Sequence, residues 1–176
     1  MPPRAVRNIK VPVRAVAIIA FLILACAGGG EPDPAAAYVS ALEPAMVENA
    51  ALAQRFLTEA SRIKKKETDG AQLAEVIAKE LGPKADELSR AAGAVSPLDP
   101  RLTEPHAVLV KAWADRAAAY TAMRDAWAAG DLIAWDAAVK KNTQSKLDEE
   151  RYFTDINAVL APEGLTLRQY PQPAAL

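Results

Sequence analysis

Apolar and small side chains recur along most of this chain at alternating steps of three and four, the spacing that places them on one face of an α-helix. In the first such stretch the positions are Val39, Leu42, Met46, Ala53, Phe56, Ala60 and Ile63, and Asn49 occupies the one heptad slot that lacks an apolar residue. Asp33 as N-cap and Pro34 at the first helical position predict where it starts. Pro44 predicts a kink, or else a start delayed to a capping box made by Ser40 and Glu43. Lys64-Lys65-Lys66 closes the stretch with the charge that a helix C-terminus favours, and is read as a solvated helix end.

A second helix opens with the capping pattern Asp69-Gly70-Ala71-Gln72 and carries Leu73, Val76, Ile77, Leu81, Leu88 and Ala92 on its apolar face. Gly82-Pro83 predicts a kink or a break within it. Residues 93–105 contain Pro97, Pro100 and Pro105 and form the one long connection, with Leu98 and Leu102 expected on the core. The most regular helix follows: Leu109, Trp113, Arg116, Tyr120, Met123 and Trp127, beside a stripe of Ala112, Ala119 and Ala126 that permits close helix approach. Gly130-Asp131 predicts a tight turn and a new N-cap. The last helix presents Leu132, Trp135, Val139, Phe153, Ile156 and Leu160 on one face and stops at Pro162 and Gly164. The expected architecture is all-α, an antiparallel four-helix bundle with helices at about 34–66, 70–92, 103–129 and 131–161, and residues 165–176 as a loose tail.

Folding the last two helices about Gly130 brings Trp127 toward Leu132 and Trp135, an aromatic cluster near the turn. It also brings Arg116 to the level of the polar run from Lys140 to Lys146. Arg116, Tyr120, Asn142 and Glu149 are therefore the candidate polar layer or ligand pocket. The plainer alternative is an arginine that snorkels at the edge of the seam above a solvated polar face, or one buried polar residue that fixes helix register.

Before the first helix lies a different pattern. Arg4, Arg7, Lys10 and Arg14 precede an unbroken apolar run over residues 15–25, then Cys26 and Ala27-Gly28-Gly29-Gly30. The run is too short to span a bilayer, which takes roughly 20 apolar residues, and fits the apolar region of an export signal. Ile23-Leu24-Ala25-Cys26 resembles the lipobox of bacterial lipoproteins, with an aliphatic residue three positions before the cysteine and a small one just before it; Leu24 is bulkier than that pattern usually has. The resemblance covers about the first 30 residues and implies cleavage after residue 25 and a diacylglyceryl group on the Cys26 sulfur. It thereby implies a membrane-held, extracytoplasmic protein of the cell envelope, on the outer membrane rather than the inner one if the host is diderm. Two or three acyl chains hold a protein stably where one holds it only marginally. An ordinary cleaved signal with Ala-x-Ala recognition and an uncleaved short anchor are the alternatives. Residues 26–33 would then be a flexible tether from the lipid to the domain.

Composition narrows the chemistry. Alanine makes up about a fifth of the 176 residues, so a few large side chains must carry the packing. Taking the four basic residues before Cys26 from the total of 21 leaves 17 against 22 acidic ones, a net charge of −5. Such a domain has no electrostatic footprint for nucleic acid. Cys26 and His106 are the single cysteine and the single histidine. They exclude an intrachain disulfide, a cysteine metal cluster and the paired Glu-x-x-His sites of di-iron bundles, and the Cys-x-x-Cys-His haem signature is absent. His106, beside a helix start, is assigned a surface or capping role. Leu165-Thr166-Leu167-Arg168-Gln169 matches the Leu-Thr-x-x-Gln signature of small periplasmic helical chaperones, but in a single copy in the tail, and is read as coincidence. The expectation is a binding or interaction module with no catalytic residues, no metal and no cofactor, held to a membrane through Cys26 and meeting a protein partner in the envelope. The alternative is a carrier of a small ligand or cofactor in the bundle core.

Overall fold

The computed structural model describes residues 33–169; the expected signal, Cys26 and most of the expected tether lie outside them, as do residues 170–176. Every regular element among the described residues is helical, and four helical stretches make up the domain. α1 spans Pro34–Lys64, and its N-cap Asp33 accepts from the Ala35 amide at 2.9 Å. The helix passes through Pro44 without interruption, so the delayed start at Ser40 is not used. Proline removes the amide that would meet the Ser40 carbonyl. Both Ser40 and Pro44 are exposed, so water can serve that carbonyl.

The second stretch begins with α2, Gly70–Val76, where the Asp69 carboxylate caps the Gln72 amide at 3.1 Å. At Ile77–Leu81 the helix widens into a single π turn and continues as α3, Gly82–Ala94. The Gly82 amide reaches back to the Ile77 carbonyl. A Cβ at residue 82 would sit 3.0 Å from that oxygen, which suits glycine. Pro83 has no amide for the Lys79 carbonyl, and the wider turn absorbs this mismatch, so the helix is neither broken nor ended at Gly82-Pro83.

In the connection, Leu102 is fully buried within a short turn, Pro100–Leu102, as expected. Leu98 is not: it is 76% exposed, in the short irregular segment after Pro97, and the chain reaches the core only at Leu102. α4, Thr103–Ala129, ends at Gly130, whose φ of 67° lies in the left-handed region that glycine adopts without steric cost. Asp131 then caps α5, Leu132–Leu160, through the Ile133 and Ala134 amides at 3.0 and 2.9 Å.

The core draws on all four stretches: Leu42 and Met46, Ile77 and Leu81, Leu109, Tyr120 and Met123, Tyr152 and Ile156, each with at most a few per cent of its surface exposed. Ala112, Ala119 and Ala126 are buried along α4, as the small-residue stripe predicted. The loose tail expected from residue 165 is not found over residues 165–169. Leu167 is buried, and both its amide and its carbonyl are held by the Asn157 side chain, at 2.8 and 3.1 Å. One carboxamide thus pins an extended segment against α5 and spares it the cost of unpaired backbone groups. That segment also contains Leu165-Thr166-Leu167-Arg168-Gln169, which is not helical here. No helix among the described residues is long and apolar enough to cross a membrane.

Candidate functional site

Arg116 lies on the buried face of α4 and Glu149 on the facing side of α5, and the two form an ion pair of 2.6 Å with about 5% and 4% of their side chains exposed. A buried charge is costly unless it is paired and hydrogen-bonded. Here each oxygen of the carboxylate is engaged: Glu149 Oε2 accepts from Arg116 Nη2, and Oε1 accepts from Asn49 Nδ2 at 2.5 Å and from the Trp113 indole N–H at 3.1 Å. Asn49, on α1, also accepts from Arg116 Nη1 through its Oδ1. Its carboxamide bridges the two ionised side chains, so α1, α4 and α5 are joined at one level by four hydrogen bonds. Among the described residues no fully buried side-chain nitrogen or oxygen lacks a partner.

Beside this network a groove of about 250 Å³ opens between α1, α4 and α5. Its apolar wall is formed by Ala53, Phe56 and Leu57, and its other lining residues are Arg116, Tyr120, Asn142, Thr143 and Lys146. The Phe56 and Tyr120 rings stack with centroids 5.6 Å apart at an interplanar angle of 27°. Tyr120 is 1% exposed; its hydroxyl makes no hydrogen bond among the described residues and is not one of the fully buried oxygens, so it keeps access to solvent at the groove. Burial raises the phenol to about 12, with Arg116 acting in the opposite direction and Glu149 adding to the rise. The group stays protonated and remains an available donor. Leaving such a donor unsatisfied costs about 1–3 kcal/mol unless water or a ligand meets it.

The four residues selected from the sequence therefore come together in two ways. Arg116 and Glu149 pair directly. Tyr120 and Asn142 line the adjoining groove, and Asn142 is half-buried there, its backbone carbonyl accepting from Ser145 Oγ at 2.7 Å. Arg116 does not snorkel; it is buried and held between Asn49 and Glu149. Asn49 and Trp113 belong to the network and were not selected. The signal for Asn49 was present, since a lone polar residue in an apolar heptad slot needs a buried partner. Trp113 carried no signal beyond its place on the apolar face.

A second buried polar chain lies elsewhere in the core. The Tyr38 hydroxyl is 2.9 Å from the Tyr152 hydroxyl and 3.1 Å from His106 Nδ1. The Tyr38 and His106 rings meet edge to face at 5.6 Å. The pKa of His106 is held below the ordinary histidine value, chiefly by burial, against the opposing pull of the Val95 and Ala92 backbone near the end of α3. His106, expected on the surface or at a cap, is instead buried. Burial likewise raises the Tyr38 phenol to about 12 and that of Tyr152 further.

Glu59 is a further buried ionisable group on α1, flanked by Arg55 and Arg62, which together hold its pKa below the usual carboxylate range. Near Gly130, Trp127 meets Trp135 edge to face at 5.4 Å, as the folding about that turn predicted, whereas Leu132 is largely exposed. Among the described residues no cluster of three or more histidine, cysteine, aspartate or glutamate side chains has the arrangement of a metal site. No family model, curated protein or solved structure matches the chain.

Proposed function

We propose that this chain is a lipid-anchored protein of the bacterial envelope, that its four helices form an antiparallel bundle, and that it acts by binding rather than by catalysis. The observation that carries the anchoring is Ile23-Leu24-Ala25-Cys26 at the end of an eleven-residue apolar run led by four basic residues. The bundle is supported by contacts that pair α4 with α5 outward from Gly130, first Trp127 with Trp135 and then Arg116 with Glu149. Binding is supported by the state of the polar core: Arg116 and Glu149 spend their charges on each other and on Asn49, an arrangement that fixes helix register. The partner under this reading is another protein of the envelope.

The test of anchoring is direct. Cys26→Ser should abolish incorporation of labelled fatty acid and release the protein from the membrane fraction; retention of that variant in membranes would remove the lipoprotein reading.

A second reading is favoured by one specific observation. The Tyr120 hydroxyl, which makes no hydrogen bond among the described residues and keeps access to solvent, lines a groove that also offers Asn142 and Lys146. Under this reading the domain carries a small ligand.

A further inference from the structure

Resting on the carrier reading, we propose that the groove between α1, α4 and α5 binds a small aromatic carboxylate, with its acid group on Tyr120 and Lys146 and its ring against Phe56.

Three features select this class. The groove is lined by donors and by no acidic side chain: Tyr120 supplies an O–H, Lys146 an ammonium and Asn142 a carboxamide. Glu149, the partner of the lining residue Arg116, already accepts three hydrogen bonds, from Arg116, Asn49 and Trp113. Lys146 is about half exposed and touches Glu150 only loosely, at 3.7 Å, so it can turn to an incoming anion. The Thr143 hydroxyl donates to the Val139 carbonyl at 3.1 Å and keeps its lone pairs for water or ligand. A carboxylate meeting a neutral O–H and a lysine gains charge-assisted hydrogen bonds, which are roughly twice as strong as neutral ones. A cation would find no counter-charge.

The apolar wall decides the body of the ligand. Phe56 is only partly buried and continues the Tyr120 stack, so a flat ring entering the groove finds a ring already oriented for stacking or edge contact. The volume of about 250 Å³ falls just below the range of about 300–1,000 Å³ typical of drug-sized ligands. One ring and a short acid side chain suit that space; a long acyl chain does not.

The experiment uses the full acylated chain in lipid nanodiscs and saturation-transfer NMR with 3-phenylpropionate, its neutral amide 3-phenylpropionamide, and empty nanodiscs as background. The acid should bind about tenfold more tightly than the amide. Tyr120→Phe, which keeps the ring and removes only the hydroxyl, should weaken the acid about tenfold. Lys146→Gln should weaken it several-fold and remove most of its salt dependence. Helical circular dichroism of each variant checks that the fold is intact. Equal affinity for acid and amide, with both weakened by Tyr120→Phe, overturns the anionic class while the carrier reading stands. Binding that ignores both substitutions overturns the groove as the site. No transfer to either ligand above the empty nanodiscs at millimolar concentration overturns this inference and the carrier reading together, and leaves the anchoring reading to its own test.

Discussion

Asn49 and Arg116 sit on different helices, and the Asn49 carboxamide oxygen accepts from the Arg116 guanidinium while its nitrogen donates to Glu149. The amide is used at both ends, so the ion pair is closed by a neutral bridge and not by water. Removing one charge from such a set leaves the other buried and unpaired, which costs about 3–5 kcal/mol, whereas replacing both with apolar groups of similar volume is often close to neutral. Glu149→Ala should therefore lower stability in urea unfolding by about 3–5 kcal/mol, and the double variant Arg116→Met with Glu149→Met should lose much less. If the double variant is as unstable as the single one, the pair stabilises the fold by more than mutual neutralisation.

Gly70, at the start of α2, lies under Trp127, and a Cβ there would come within 2.3 Å of the indole ring. That ring is already in contact with Trp135, so it cannot move without disturbing the aromatic pair. Gly70→Ala should destabilise the protein by about 1–3 kcal/mol through overpacking and alter its tryptophan fluorescence. Gly93 offers the control, because a Cβ added to it meets nothing within 4 Å. Gly93→Ala should be neutral or gain about 0.5–1 kcal/mol from the lower entropy of the unfolded chain. Thermal unfolding of the two variants, shifted in opposite directions, checks the assignment.

Sequence periodicity sufficed for the four helical stretches and most of their buried faces, because a spacing of three and four admits one buried side per helix whatever its neighbours are. It also brought Arg116 toward its partners on α5, since a tight turn at Gly130 ties each position on α4 to a level of α5. What periodicity could not supply were relations between distant segments. Asn49 was recognised as an irregularity, but its partners lie 67 and 100 residues away in Arg116 and Glu149. The burial of His106 depends on Tyr38 and Tyr152, and that of Leu167 on a single asparagine of α5. Gly82-Pro83 announced a disturbance, but whether a proline breaks a helix or widens it by one residue is decided by packing on both sides, and here Ile77 and Leu81 are both buried.

Pro44 shows the opposite balance, a local penalty overridden by the whole helix. α1 carries it in its interior, with Leu42 and Met46 buried on either side. Proline in a helix interior costs about 3 kcal/mol relative to alanine, through the lost hydrogen bond and the clash with the preceding turn. Pro44 is exposed, so its replacement disturbs no core contact. Pro44→Ala should raise stability by up to about 3 kcal/mol, read as a higher urea midpoint with an unchanged slope. A lower midpoint would mean that proline at this position is needed to seat α1 on its neighbours.

His106 gives the fold a dependence on mild acid. Burial lowers its pKa below the ordinary value of about 6.5, outweighing the Val95 and Ala92 carbonyls that favour the charged ring. The unfolded chain, with its histidine in water, therefore takes up a proton at a higher pH than the folded chain does. The stability that the neutral, buried imidazole contributes is fully present above about pH 6.5 and is lost as the pH falls below that value toward the folded-state pKa. Protonation would also end the ability of Nδ1 to accept from the Tyr38 hydroxyl, so the Tyr38–Tyr152 contact loses part of its support. Melting temperatures measured between about pH 7 and pH 5 should fall for the native chain. His106→Gln, which is polar but does not titrate, should start from a lower melting temperature and lose most of that slope. Parallel slopes in the two proteins would remove His106 as the source of the acid sensitivity; Glu59, whose pKa is held below the usual carboxylate range, loses its stabilising charge only at lower pH than this window.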